Sequence, residues 1–168
     1  MEREWTVEES VVVAVEPAAA YGAVAEVRRT GEWSPECRAV WSRPGPLPTG
    51  ARFVGFNRKG PLVWFTTCRV TVAAPGREFA FRVGTFGLPV ALWGYRFEPT
   101  GDGSTLVTEY WRDLRTGRGR RPAELLGLVF TATRPADRAR VNRAGMRTTL
   151  ARLKAALERA DSRSAGRP

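Results

Sequence analysis

Histidine is absent from this sequence, and its absence limits the chemistry that the remaining residues can perform. A Ser-His-Asp triad, a Cys-His pair, a histidine-ligated haem and nearly all catalytic zinc sites need an imidazole. The only cysteines, Cys37 and Cys68, are far apart and form no CxxC motif. We expect two buried free thiols rather than a disulfide, no metal site and no cofactor. Any reaction must therefore depend on carboxylate, phenol, hydroxyl, guanidinium, amine or thiol groups.

Glu109 is the first candidate for such a role. It lies in the segment TLVTEYWRDL (105–114), which is typical of a β-strand. Alternate residues of a strand share one face, so Glu109 shares a face with Val107 and Trp111, whereas Arg112 lies on the opposite face. If the arginine faces solvent, Glu109 points inward among aromatic side chains, where a carboxylate needs a partner or a raised pKa. The alternative is a solvated position at the mouth of the interior.

Tyr95 and Asn57 are polar residues on faces that otherwise carry aromatic side chains. The Tyr95 phenol is suited to polarising a carbonyl or phenolic oxygen, but it is also compatible with a core tyrosine whose hydroxyl reaches the rim. Asn57 can hydrogen-bond a ligand or cap a turn near Gly60. We treat Glu109 and Tyr95 as the candidate catalytic residues.

The same alternation predicts which side chains of the other strands point inward. Arg52, Arg82 and Arg96 identify the outer faces. The expected inward set is Phe53, Gly55, Asn57, Trp64, Thr66, Cys68, Val70, Val72, Phe79, Phe81, Val83, Trp93, Tyr95 and Phe97.

These residues require a sheet and one long helix to position them. Strands are predicted at 4–15, 37–43, 51–59, 62–74, 77–84, 89–99 and 105–114, with a short helix at 17–29 and a turn or one more helical turn at EWSPE. Residues 121–133 look helical, and a long helix at 136–160 carries the apolar stripe Met146, Leu150, Leu153 and Leu157. Short turns between successive strands favour an antiparallel sheet. We predict one α+β domain over 1–160, with a disordered tail at 161–168.

The composition of the chain indicates its net charge and its cellular location. The net charge is +10, and only two of the 27 basic residues are lysines. Arginines are concentrated in RTGRGRR (115–121) and at positions 134, 138, 140, 143, 147, 152 and 159, and we expect those of the last helix to face solvent. The N-terminal segment is charged and lacks the apolar core of a secretory signal, and no apolar run is long enough to span a membrane, so we expect a cytoplasmic protein.

Several segments together resemble the START-related superfamily (SRPBCC), and most closely its bacterial polyketide cyclase/dehydrase-like branch. They cover nearly the whole chain: PAAAYGAVAEV, GEWSPEC, GARFVGFNRKG, WFTTCRVTVAAPGREFAF, YRFEPTGDGSTLVTE and NRAGMRTTLARLKAALE. The resemblance implies a helix-grip fold, in which a curved seven-stranded antiparallel sheet wraps around the long C-terminal helix, with two short helices after the first strand. It also implies a cavity between sheet and helix, which Trp33 would close at one end. Trp33 is equally compatible with fixing its loop to a solid core.

The implied cavity defines the candidate ligand-binding residues: Trp33, Phe53, Asn57, Trp64, Thr66, Phe79, Phe81, Trp93, Tyr95, Trp111, Met146 and Leu150. The first functional hypothesis is binding of a small hydrophobic, lipid-like or polyketide-like molecule by a monomer or homodimer. The second is a polyketide cyclase or aromatase with Glu109 as base, which an inward arginine would support. The third is binding of an anionic membrane or nucleic acid by the basic surface, although no nucleic-acid motif is present.

Overall fold

A computed structural model describes residues 4–115, 125 and 137–165. It contains seven strands, two α-helices and a 3₁₀ helix in those ranges. Their bounds are β1 Thr6–Val13, α1 Pro17–Ala25, the 3₁₀ helix Val27–Glu32, β2 Cys37–Trp41, β3 Arg52–Lys59, β4 Leu62–Ala74, β5 Glu78–Thr85, β6 Leu88–Pro99, β7 Thr105–Asp113 and α2 Arg138–Ala165.

The seven strands form one curved antiparallel sheet in the order β1-β7-β6-β5-β4-β3-β2. Strands β3 to β7 follow one another through short turns, the longer segment 42–51 joins β2 to β3, and β1 pairs with β7 along its whole length. The long helix α2 packs on the concave face. The predicted fold class, a sheet wrapped around a C-terminal helix, is therefore confirmed.

The connection after β1 contains two short helices, as the resemblance implies, and not the single helix that the sequence pattern predicts at 17–29. Helix α1 begins at Pro17, a favourable first-turn residue, and ends at Ala25 because the backbone at Glu26 leaves helical geometry with ψ 75°. The chain then continues as the 3₁₀ helix. At Gly31 this helix packs tightly on β2, where a Cβ atom would lie 2.7 Å from the carbonyl oxygen of Arg38.

One strand contains an irregularity that the alternation pattern did not predict. Between Val70 and Val72 the β4–β5 register shifts, so that Val72 lies opposite Ala80 and Ala73 lies opposite Phe79. The bulge at Thr71 reverses the alternation. Val72 is therefore not part of the inward set, and Ala73 packs against the core in its place.

Helix α2 confirms the predicted stripe, because Met146, Leu150, Leu153 and Leu157 are all buried. The helix reaches Ala165, so 161–165 are helical and not part of the predicted disordered tail, while 166–168 lie outside the described residues. The prediction for 121–133 also lies outside them, except for Leu125, which is helical and exposed.

The helix also covers the β1 edge of the sheet. Lys154 Nζ donates to the Val12 carbonyl at 2.8 Å, and Glu158 Oε1 accepts from the Ala14 amide at 3.1 Å. These bonds satisfy backbone groups that an edge strand otherwise leaves unpaired. Within the described part of the chain, no helix has the length and apolar composition needed to cross a membrane.

Candidate functional site

A cavity of about 170 Å³ lies between the concave face of the sheet and the N-terminal half of α2. Strands β2 to β7 form one wall, the segment around the 3₁₀ helix forms the rim, and α2 closes the other side. The strands contribute Cys37, Val40, Phe53, Gly55, Asn57, Trp64, Thr66, Cys68, Phe81, Val83, Trp93, Tyr95 and Glu109. The other lining residues are Thr30, Ser34, Pro35, Glu36, Arg138, Val141, Asn142, Gly145 and Thr149.

Glu109 and Tyr95 form a buried pair in this wall. They lie directly opposite each other on β7 and β6, and Tyr95 Oη donates to Glu109 Oε1 at 2.8 Å. Glu109 is only 3% exposed. Its second oxygen, Oε2, has no hydrogen-bond partner among the described residues. The pair therefore leaves Glu109 Oε2 available for a further hydrogen bond.

Burial raises the pKa of Glu109 to about 8, although the hydrogen bond from Tyr95 acts in the opposite direction. Burial, together with the charge of Glu109, also raises the pKa of Tyr95 well above its ordinary value. At neutral pH the main form therefore has a neutral carboxylic acid beside a neutral phenol. Glu109 can then donate a proton at Oε2, and it becomes a base as the pH approaches 8.

Arg138 also lines the cavity, in contrast to the prediction that the arginines of the last helix face solvent. Its side chain is 18% exposed and lies 3.5 Å from Glu36. Burial lowers its pKa, and the charge of Glu36 opposes that change. The guanidinium stays charged at neutral pH. Its Nη1 atom is buried without a hydrogen-bond partner in the described part of the chain.

Three further residues of α2 belong to the same face as Arg138. Asn142, Gly145 and Thr149 follow it at helical spacing, so all four line the cavity. Asn142 is 4% exposed, and its Nδ2 atom is buried without a partner in the residues described. The sequence does contain a signal for this face, since it lies directly beside the apolar stripe and carries polar or small residues instead of leucines.

Asn57 lies inside the cavity, and its contacts exclude one of the two predicted roles. Its Nδ2 atom is 3.4 Å from both the Gly55 carbonyl and Thr66 Oγ1. The Gly60 carbonyl instead accepts from Arg58 Nε at 3.0 Å. Asn57 therefore does not cap the turn at Gly60, and its ligand-binding role stays a prediction.

The structure brings together eight of the predicted site residues and separates five from them. Phe53, Asn57, Trp64, Thr66, Phe81, Trp93, Tyr95 and Glu109 line the cavity. Trp33, Phe79, Trp111, Met146 and Leu150 do not line it and are at most 3% exposed. These five are packed within two hydrophobic core clusters, the larger of which continues to the cavity-lining Phe53 and Tyr95. The sequence pattern correctly predicts that these five side chains are buried in the interior. Alternation along a strand does not, however, distinguish a filled interior from a hollow one.

Trp33 illustrates the distinction. It is 2% exposed and packs in the main core cluster, while its neighbours Ser34 and Pro35 reach the cavity. The guanidinium of Arg29 lies over the Trp33 ring at 5.3 Å from its centroid. Of the two predicted roles, the structure supports attachment of the loop to the core.

The cysteines are buried free thiols, as predicted. Burial raises the pKa of Cys37 to about 11 and that of Cys68 to about 12. Because the thiolate is the nucleophilic form, neither residue is suited to covalent catalysis at neutral pH. Both contribute apolar lining to the cavity.

The fold recurs in several solved structures. The chain is 29% identical to the Polyketide_cyc-like protein Cgl2372 from Corynebacterium glutamicum, with 100% of both chains covered and a TM-score of 0.63. It is 18% identical to the Zhui aromatase/cyclase from Streptomyces sp. R1128, covering 96% of this chain and 97% of that one at a TM-score of 0.68. A third similar structure, the di-domain ARO/CYC StfQ from the steffimycin biosynthetic pathway, is 18% identical. That match covers 94% of this chain and 51% of StfQ, with a TM-score of 0.67.

Comparison of the sequence with protein families and with curated proteins gives two results. None of the curated proteins matches the sequence. The family described as "Polyketide cyclase / dehydrase and lipid transport" matches residues 4–158, which include every strand and most of α2. The chain with this cavity therefore belongs to the polyketide cyclase/dehydrase and lipid transport family.

Proposed function

We propose that the cavity binds a small hydrophobic or aromatic molecule that carries oxygen atoms, such as a polyketide-like phenol or a lipid. The observation that carries this proposal is a set of three buried polar atoms without partners among the described residues: Glu109 Oε2, Arg138 Nη1 and Asn142 Nδ2. All three residues line one otherwise largely apolar cavity. A buried polar atom without a hydrogen bond costs about 1–3 kcal/mol, so a ligand that pairs with it gains affinity.

The dimensions of the cavity limit the part of a ligand that can enter. Its volume of about 170 Å³ is close to that of an engineered cavity that admits benzene. This volume corresponds to one aromatic ring or a short acyl segment, which would lie against the wall formed by Trp93 and the edge-to-face pair Phe53 and Phe81. The rest of a longer ligand would extend past the rim at Pro35.

Binding is tested first by native mass spectrometry of the purified protein, which would reveal a retained small molecule. Titration with naphthol-like phenols and with fatty acids follows, monitored by tryptophan fluorescence. We expect a phenol or acid to bind, and Asn142→Leu to weaken binding about tenfold, equivalent to the loss of one hydrogen bond. The matched control is Asp102→Asn, an exposed turn residue outside the cavity. No retained molecule and no binding across the panel would contradict the proposal.

A second candidate function, a cyclase or aromatase, is favoured by the inward guanidinium of Arg138. Related structures bear the names aromatase/cyclase and ARO/CYC. In this function Glu109 as a carboxylate removes a proton from the carbon between two ketones of a poly-β-ketone. The enolate carbon then attacks a ketone carbon of the same chain, which closes the ring, and the new alkoxide takes the proton back from Glu109. Glu109 next removes the second proton of the same carbon, and the hydroxyl leaves as water to form a carbon–carbon double bond, while Arg138 and Tyr95 stabilise the developing oxygen charges.

The two functions are separated by Glu109→Gln. In a cyclase this change abolishes turnover of a poly-β-ketone analogue but leaves its binding within a few-fold of the wild type. Because the pKa of Glu109 is raised to about 8, kcat should increase with pH and level off above that value. Binding without turnover in the wild type would support the carrier function alone.

A further inference from the structure

The convex side of strands β2, β3 and β4 has an unusual charge composition. None of the residues in these three strands is acidic, and five are basic. Arg38, Arg52, Arg58 and Arg69 are exposed, whereas Lys59 lies on the same side of β3 as the cavity-lining Asn57. On β1, by contrast, Glu8 pairs with Arg96 at 2.8 Å and Glu9 pairs with arginines of α2. Strands β2, β3 and β4 contain no acidic side chain that could neutralise their positive charge.

Three arginines form a row across the convex face. Arg52 lies directly opposite Arg69, and Arg69 lies directly opposite Arg82 on β5. All three are exposed, and none forms an ion pair with a residue in the described ranges. Like charges in directly opposite positions of a sheet destabilise it. The row of arginines therefore does not stabilise the folded protein. An anionic partner would neutralise the repulsion between these charges.

Exposed apolar side chains lie beside the arginines. Phe56 lies opposite Phe65, whose ring centroid is 5.8 Å from that of Phe86. Phe56 and Phe65 are each 44% exposed, and Trp41 on the edge strand β2 is 72% exposed. Exposed apolar side chains that lie together on a solvent-facing surface of a sheet commonly mark an interaction site.

Phe86 occupies a position that is unfavourable for a bulky residue. It forms the β5–β6 turn together with Gly87, and both residues have positive φ, 47° and 78°. Two-residue hairpins of this geometry strongly favour Asn, Asp and Gly, because a side chain with a Cβ is strained there. Phe86 is nevertheless 62% exposed. The turn geometry therefore does not favour a phenylalanine at this tip, where its ring packs on that of Phe65.

The tip lies at the cavity end of the sheet. The β3–β4 turn and the β5–β6 turn are at the same end, because each joins the next antiparallel strand in the sheet order. Val63, which is 65% exposed, lies beside the first of these turns. The lining residues Asn57 and Trp64 face each other near the same turn. A surface that contacted both tips would therefore be close to the cavity.

We propose that this basic–aromatic face, comprising Trp41, Arg52, Phe56, Arg58, Val63, Phe65, Arg69, Arg82 and Phe86, docks on the surface of a membrane that contains anionic lipids. Arginines attract the lipid phosphates, while aromatic and aliphatic side chains enter the headgroup region. The position of Phe86 and Val63 at hairpin tips favours lipid over nucleic acid, because such side chains can penetrate a fluid surface. Docking through the two hairpin tips would bring the cavity end of the sheet to the bilayer surface, where apolar molecules are concentrated, while the sheet separates the rest of the docking face from the cavity.

The test is co-sedimentation of the purified chain with vesicles. One set contains phosphatidylcholine only, and the other contains about 30 mol % phosphatidylglycerol. We expect binding to the anionic set alone, with a steep decrease as salt is raised. The triple variant Arg52→Gln, Arg69→Gln, Arg82→Gln should reduce partitioning about a hundredfold, since each charge near an anionic surface contributes about fivefold.

The matched control removes three exposed arginines elsewhere: Arg28→Gln, Arg152→Gln and Arg159→Gln. Its partitioning should decrease much less than that of the row variant, and an equal loss would show that only net charge matters. Phe86→Asn provides an independent variant, because Asn is favoured at the turn and the fold is retained. It should still reduce partitioning several-fold. Binding to single-stranded RNA without binding to anionic vesicles would overturn the proposal.

Discussion

The interior of the protein has a filled end and a hollow end, although the same sheet forms the wall of both. At the filled end Tyr21 of α1 packs edge-on against Phe79 and Phe97, with ring centroids 6.2 Å and 5.7 Å apart. At the hollow end, Tyr95 and Glu109 face Arg138 and Asn142 across the cavity. The filled end is apolar, whereas the hollow end contains three buried polar atoms without partners in the described residues.

The difference arises from side-chain size and from the element that covers the sheet. Helix α1 and the leucines Leu150, Leu153 and Leu157 of α2 fill the first end. At the second end the strand contributes Gly55 and Thr66, and α2 contributes Gly145 and Thr149. Large residues at these positions would have closed the space. Close packing is the rule in protein interiors, so this concentration of small and polar residues indicates a site rather than a core.

The largest expected effect comes from truncating one aromatic ring at each end. Phe79→Ala should reduce the free energy of unfolding by about 3–5 kcal/mol, because it leaves a void in a solid core. Phe81→Ala should cost only about 1–2 kcal/mol, because its ring already borders space and is partly exposed. Urea unfolding followed by tryptophan fluorescence measures both values.

Ligand binding provides the complementary measurement for the same pair. Phe81→Ala enlarges the cavity and should shift preference toward larger phenols, whereas Phe79→Ala should leave the preference unchanged wherever the variant is folded. Equal losses of stability in the two variants would mean that Phe81 belongs to a solid core, and the contrast between the two ends would be wrong.

The second effect is the dependence of stability on pH caused by Glu109. Burial raises its pKa from an ordinary 4.5 to about 8 in the folded protein. The folded state therefore holds this proton more tightly than the unfolded state, and stability falls as the pH rises from about 4.5 through 8. Glu109→Gln removes this loss. At pH 9 it should stabilise the protein by about 5 kcal/mol relative to the wild type, with little difference at pH 4.

Thermal unfolding at a series of pH values measures this effect. The matched control is Glu98→Gln, an exposed carboxylate on β6. It should leave the pH profile unchanged. A Glu109→Gln profile parallel to that of the wild type would show that the carboxylate is paired or solvated at all pH values.

Much of this arrangement is readable in the sequence because strands obey a period of two. The arginines at 52, 96 and 112 indicate the outer faces of their strands, and the inward positions of Phe53, Tyr95 and Glu109 follow from them. Turn residues divided the strands correctly, and the leucine stripe identified the core face of α2. Each of these inferences depends on local geometry that neighbouring residues fix.

The errors have a common cause in information that is not local. The bulge at Thr71 depends on how β4 meets β5, and it reversed the face of Val72. Arg138 lies about one helical turn from arginines that face solvent. Because the start of α2 packs near Glu36 at the rim, the Arg138 side chain points into the cavity. Whether Phe79 or Phe81 borders empty space depends on which distant element covers it, so no pattern within β5 could distinguish them.

The smallest expected effect separates two asparagines of the hollow end. Asn142 has a buried Nδ2 without a partner in the described residues, whereas Asn57 Nδ2 has two acceptors at 3.4 Å. Asn142→Leu should stabilise the ligand-free protein by about 1 kcal/mol because an unsatisfied donor is removed. Asn57→Leu should destabilise it by about the same amount. Urea unfolding measures both, and destabilisation by both variants would show that Asn142 already has a partner in the ligand-free protein. Opposite signs would mean that the chain retains, at a cost in stability, a donor that only a ligand can satisfy.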